Sequence, residues 1–133
     1  MLEVTAAIIR QNGKILICQR PANKSCGLLW EFPGGKIEAG ETGEQCIVRE
    51  CQEELGVTLV VERELTDIVH EYSDRTVHLH FYLCRIAAGV PEKKEHNATE
   101  WITPDEVKQY AFCPADEKML LQYNYELFPR KEV

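Results

Sequence analysis

Thr42 to Leu55 is the stretch that most limits what this chain can become. It reads as an amphipathic helix: Val48, Cys51 and Leu55 fall at spacings of three and four and form an apolar stripe. Gly56 follows as a C-cap residue. A helix with an apolar stripe needs a second layer to cover it. Its polar side carries Glu50, Glu53 and Glu54 at i, i+3 and i+4, within an arc of about 100°. Like charges so placed cost roughly a few tenths of a kcal/mol per neighbouring pair. They also lie in the C-terminal half of the helix, where the macrodipole disfavours anions. The arrangement is locally unfavourable unless a cation compensates. Oxygen-only ligands suit Mg²⁺ or Mn²⁺, which take a few carboxylates together with waters and phosphate oxygens. For three helical glutamates alone, a solvated acidic face is the plainer reading.

The flanks change that weighing. Arg49 can reach Glu53 at i+4 or fold back towards Glu41. Gly34-Gly35 lets the backbone approach a ligand closely and leaves a carbonyl free to coordinate.

Around this helix the chain reads mainly as strands. Val4 to Arg10 and Lys14 to Gln19 flank Asn12-Gly13, a hairpin turn signal. Trp30 to Gly35 is a short edge with a sharp break, after a polar loop from Asn23 to Gly27. Val57 to Tyr72 reads as one or two strands, and Ser73-Asp74 as a turn. Thr76 to Ile86 alternates, with Val77, Leu79, Phe81 and Leu83 on one face and His78, His80, Tyr82 and Cys84 on the other. After a loop from Ala87 to Asn97 and a short strand at Glu100 to Ile102, Thr103-Pro104-Asp105-Glu106 is a capping box opening a short helix. A last helix runs from about Ala115 to Leu127. The expectation is an α+β domain over residues 1–133, a mixed sheet between helices.

Charge narrows the partners. With 15 Lys+Arg against 22 Asp+Glu the net charge is −7. That disfavours nucleic acid, whose binding relies on basic side chains at phosphates. If the chain handles phosphates, a bound cation is the device that inverts the local field. No apolar run is long enough for a membrane span. Met1-Leu2-Glu3 opens without a basic, apolar leader, so the cytoplasm is the expected compartment. The six cysteines contain no C-x-x-C pair and sit mostly in apolar runs, which suits reduced, buried thiols.

The stretch Gly35-x(5)-Glu41-x(7)-Arg49-Glu50-Cys51-x-Glu53-Glu54-x-Gly56-Val57 resembles the Nudix box, G-x(5)-E-x(7)-R-E-U-x-E-E-x-G-U, with U a bulky apolar residue. Every fixed position is met; Cys51 is smaller than usual for a U position. Beyond the box, Ala6 to Arg10, Gln19-Arg20, Trp30 to Lys36 and Glu100-Trp101 look like MutT-type nucleoside triphosphate pyrophosphohydrolases. Val77 to His80 and Pro114 to Asp116 look like the CTP-pyrophosphohydrolase branch.

The resemblance implies the Nudix fold and hydrolysis of a nucleoside triphosphate to monophosphate and pyrophosphate, with water attacking the β phosphorus. It implies a metal site of Glu50, Glu53, Glu54 and the Gly34 carbonyl, with Glu95 as a further loop carboxylate. Glu50 is the candidate general base, with Glu95 as the alternative, and Arg49 orients Glu50. Glu41 anchors the box by an ion pair. Arg20 adds a cation for the phosphates; Phe32 and Arg75 are pocket walls by position. Asp116 stands where enzymes that sanitise 8-oxoguanine nucleotides carry Asn. An ionised carboxylate only accepts hydrogen bonds, which suits the cytosine amino group; it suits a guanine O6 only when protonated, or else meets other ring N–H groups instead. The alternative role for Asp116 is an anion in the first turn of the last helix. His78 and His80 have no third ligand evident beside them, so they read as polar residues of pocket or core rather than a zinc site. Tyr72 and Trp101 read as packing residues.

Two other readings stay open. One keeps the box but takes ADP-ribose or another nucleoside diphosphate derivative. Tyr72 stands where such enzymes carry proline, which counts against it. The other is a nucleotide-binding regulator without catalysis, disfavoured by the intact Arg49, Glu50, Glu53 and Glu54. A small nucleotide substrate and a monomer or homodimer complete the expectation.

Overall fold

In the computed structural model, which describes residues 1–128, Asn12 and Gly13 take positive φ values of 52° and 74°. That turn matches the twist of paired antiparallel strands. It joins β1 (Leu2–Gln11) to β2 (Lys14–Gln19). The two strands pair only beside the turn, Arg10 with Ile15 and Gln11 with Lys14, and then part. The freed edge of β1 takes up residues 33–37 instead. Ala7 N–H donates to the Pro33 carbonyl at 2.7 Å, Thr5 N–H to that of Gly35 at 2.8 Å, and Ile37 N–H to that of Glu3 at 3.0 Å. β2 continues with β3 (Trp30–Glu31) and with β6 (Ala98–Ile102).

On its other side β1 runs parallel to β5 (Thr76–Ala88), from Leu2 opposite Val77 to Ile9 opposite Cys84. β4 (Thr58–Glu71) is antiparallel to β5. The result is a mixed sheet in the order β3-β2-β1-β5-β4, with β6 on β2. Val57 to Tyr72 therefore yields one strand. Bulges between Thr58 and Leu59, Val61 and Arg63, and Glu64 and Thr66 break its alternation.

Side-chain alternation divides the sheet into two covered faces. Ala6, Ile8, Ile15, Ile17, Val77, Leu79, Phe81 and Leu83 share a core with Ala115, Met119, Leu120 and Leu127 of α2 (Pro114–Leu127). Ala7, Ile9, Leu16, Cys18 and Cys84 pack on the other face against Ile47, Cys51 and Leu55 of α1 (Gly43–Leu55). This is the expected α+β architecture. Val48 is only half-buried, whereas Ile47, four residues before Cys51, is fully buried on that face with Cys51 and Leu55. The apolar stripe is wider than Val48, Cys51 and Leu55 alone.

The caps hold α1 in place. Thr42 Oγ1 accepts from Gln45 N–H at 3.1 Å, and Gln45 Oε1 accepts from Thr42 N–H at 2.9 Å. Gly56 closes the helix with φ 70°. The short helix expected after Thr103 is a 3₁₀ helix, Pro104–Gln109. All six cysteines are free thiols; five are buried and Cys26 is half-buried. No described helix is long and apolar enough to cross a membrane. The expected domain limit at residue 133 lies outside the described residues.

Candidate active site

Packing α1 by Ile47, Cys51 and Leu55 sets Glu50, Glu53 and Glu54 at different depths. Glu54 is 8% exposed, and its Oε2 has no hydrogen-bond partner. Burial pushes its carboxyl up to about 9; the charges of Glu50, Glu31 and Glu95 act in the same direction, and a Gly34 backbone hydrogen bond opposes them. A buried, unpartnered carboxylate oxygen is costly. Glu50 is half-buried; burial raises its carboxyl too, against the guanidinium of Arg49. Glu53 is exposed.

Arg49 ties the cluster together. Its Nε and Nη2 grip Glu41 at 2.7 and 3.0 Å in a two-pronged pair. Its Nη1 donates to Glu50 at 2.9 Å and to Glu53 at 3.3 Å, and Nη2 reaches the Lys36 carbonyl at 3.3 Å. Hydrogen bonds from Arg49 and the Glu38 backbone hold the Glu41 carboxyl down at about 2. Arg49 thus makes both contacts its position allowed, forward to Glu53 and back to Glu41.

Residues 33–37 bring the backbone against this cluster. A Cβ on Gly35 would strike the Glu50 carboxylate, and one on Gly34 would strike the Thr5 carbonyl. The carbonyls of Pro33 and Gly35 are used by β1. That of Gly34, between them, is not used by this pairing. The orphaned oxygen of Glu54, the shielded Glu50 and the close glycine backbone form an all-oxygen donor set, which fits a hard divalent cation. Glu95, in an exposed loop, lies close enough for its charge to raise both Glu50 and Glu54.

Glu54 and Gly34 border a cavity of about 380 Å³, and the same cavity is lined by Arg20, Phe32, Arg75 and Asp116. Arg20 is fixed by Glu31 Oε1 at 2.9 Å and by the Ser25 carbonyl at 2.6 Å. Arg75 donates to Ser25 Oγ at 3.3 Å. Phe32 is buried, and its N–H donates to Asp116 Oδ1 at 3.2 Å. Burial pushes the Asp116 carboxyl well above the usual carboxylate range, and Glu31 adds to this. Asp116 is thus biased to the protonated form, which donates as well as accepts.

Tyr72, read from sequence as packing, also lines the cavity, and burial beside Asp116 raises its phenol to about 12. Glu31 was given no role by the sequence. It links the two halves of the site, bonding Arg20 and lying 3.2 Å from His96 Nε2, while its charge acts on Glu54 and Asp116. Only its place beside Phe32 in the edge strand signals this. His78 and His80 are not pocket residues: they occupy the face of β5 opposite Val77 and Leu79, which line the cavity.

Comparison with known proteins gives this geometry a context. The model of the NUDIX domain matches residues 4–122. The chain is 43% identical over 120 residues to a CTP pyrophosphohydrolase of Escherichia coli, covering 90% of this chain and 89% of the relative. It is 38% identical over 120 residues to an 8-oxo-dGTP diphosphatase of the same organism, covering 90% and 93%. The solution structure of the E. coli ORF135 protein superposes with a TM-score of 0.79 at 40% identity, covering 95% of this chain and 92% of the other.

Proposed function

Since the chain belongs to the NUDIX domain family, we propose that it is a hydrolase of nucleoside triphosphates of the cytidine or oxidised-purine type, releasing monophosphate and pyrophosphate. Two relatives that it matches along nearly their whole length are named for CTP and for 8-oxo-dGTP. The observation that carries the reading is the shared cavity: Glu54 and Gly34 border the same hollow as Arg20, Phe32, Arg75 and Asp116. One part of the site suits a cation and phosphates, the other a base.

In this reading Glu50, Glu53, Glu54 and the Gly34 carbonyl hold Mg²⁺, or Mn²⁺ in its place, with Glu95 as a further carboxylate. When bound, the ion neutralises phosphate oxygens and makes a nearby water more acidic. Glu50, steadied by Arg49 at 2.9 Å, accepts the proton of the attacking water. The water oxygen bonds to the β phosphorus, and the bond from that phosphorus to the α–β bridging oxygen breaks. The monophosphate leaves with that oxygen. Arg20 and Arg75 attract the phosphates, which a net charge of −7 would otherwise repel. Phe32 and Tyr72 flank the base, and Asp116 meets its polar edge. The enzyme works as one domain in the cytoplasm, on free nucleotides rather than nucleic acid, as a monomer or homodimer.

The test is a panel of CTP, dCTP, 8-oxo-dGTP, the unmodified triphosphates and ADP-ribose, scored by kcat/KM at fixed Mg²⁺. Cytidine or oxidised-purine triphosphates should lead, and Glu54→Gln should lower their turnover by at least about 100-fold, a loss of about 2.7 kcal/mol in transition-state stabilisation. Preference for ADP-ribose, or full turnover by Glu54→Gln, would sink the reading.

A further inference from the structure

The sheet carries a second cluster that this chemistry does not use. β1 and β5 run parallel, with Glu3 opposite His78 and Thr5 opposite His80. Alternation puts Glu3, His78 and His80 on the face away from the cavity walls Val77 and Leu79. Glu3 Oε1 lies 2.9 Å from both His78 Nδ1 and His80 Nε2. One ligand atom from each of the three residues falls within 4.8 Å of the other two. The imidazole centroids are 4.1 Å apart, and the rings are tilted by 47°. All three residues are half-buried, which leaves the cluster a way out to solvent.

The remaining ring nitrogens are also occupied. His78 Nε2 sits 2.6 Å from Asp67 Oδ2, and His80 Nδ1 sits 3.2 Å from Glu64 Oε1, both carboxylates coming from β4. Each imidazole therefore turns one nitrogen inward to a shared point and the other outward to a carboxylate. A carboxylate on the outer nitrogen fixes the tautomer and orientation of a metal-bound imidazole. Two imidazoles and one carboxylate also make up the protein ligands of an open zinc site. The donor set differs in kind from that of α1: imidazole nitrogen favours Zn²⁺, Ni²⁺ or Cu²⁺, whereas carboxylate and carbonyl oxygens suit Mg²⁺ or Mn²⁺.

We propose that Glu3, His78 and His80 form a second metal site, for a transition ion of the Zn²⁺ class, with Asp67 and Glu64 orienting the two imidazoles. It bridges β1, β4 and β5 on the far side of the sheet from the nucleotide cavity.

The test titrates Zn²⁺ alone, by calorimetry, into the full chain with excess Mg²⁺ present to occupy the glutamates of α1. Long-range ¹H–¹⁵N spectra of the imidazoles are read in parallel. One Zn²⁺ should bind per chain, shifting His78 Nδ1 and His80 Nε2 together at one equivalent. Asp67→Asn should weaken this binding roughly 10–100-fold, the range for an orienting carboxylate, and His78→Gln should weaken it further. Glu54→Gln should leave it intact. The proposal is overturned if the imidazole nitrogens do not shift, or if Glu54→Gln abolishes Zn²⁺ binding while His78→Gln spares it. Should His78→Gln fail to fold, the imidazole spectra of the unaltered chain decide.

Discussion

Asp116 shows how a single residue gains its chemistry from its surroundings. In sequence it is a carboxylate in the first turn of a helix. In the fold it is 4% exposed, accepts from Phe32 N–H at 3.2 Å and borders the cavity. Burial and the nearby Glu31 bias it to the neutral acid. Replacing it by Asn keeps a donor and an acceptor but fixes which atom is which. Asp116→Asn should therefore change the ratio of kcat/KM between CTP and 8-oxo-dGTP, and an unchanged ranking would remove Asp116 from base recognition. The residues of α1 were legible because a helix brings i, i+3 and i+4 together by local geometry alone. Glu31 and Glu3 were not. Glu3 meets His78 and His80 through the register of β1 against β5, and Glu31 meets Arg20 and His96 just beyond the ends of β2 and β6, none of which local periodicity encodes.

Among the elements, the segment 33–37 does most to assemble the site. It replaces β2 along the edge of β1 and presses its glycines between that strand and Glu50. Gly34→Ala would force the new methyl against the Thr5 carbonyl, a backbone atom that cannot step aside. It should destabilise the protein by about 1–3 kcal/mol, the usual range for overpacking, read from denaturant midpoints. A stability within 0.5 kcal/mol of the parent, roughly the scale of neutral surface changes, would show that the segment is not pinned there. The hairpin, the limits of α1 and the alternation of β5 were readable because turn chemistry, caps and period are written locally. The parting of β1 from β2 was not, since it depends on what competes for the edge of β1. The unity of β4 was hidden by its bulges.

Across the whole molecule, the buried carboxyl of Glu54 should make stability depend on pH. Glu54 has its folded carboxyl raised to about 9 from an ordinary 4.5. Between those values the folded chain holds a proton that the unfolded chain has released. Stability is thus greatest below about pH 4.5 from this group, and is lost progressively as pH rises towards about 9, at up to about 1.4 kcal/mol per pH unit. Asp116 is shifted in the same direction. Urea unfolding in the presence of a chelator, repeated across that window, should show the decline. Glu54→Gln should remove its share, and an unaltered slope in that variant would mean the carboxyl ionises normally in the fold.

The six free thiols carry a further consequence. Burial raises the thiols of Cys18, Cys51 and Cys84 beneath α1, and raises Cys46 and Cys113 as well. Thiols held in that form are poor nucleophiles and resist peroxide. Cys26 is half-buried and lines the cavity. Under limiting iodoacetamide or peroxide, mass spectrometry should find Cys26 altered first. An oxidative burst would then alter the lining of the cavity long before it reached the sulfur-lined underside of α1.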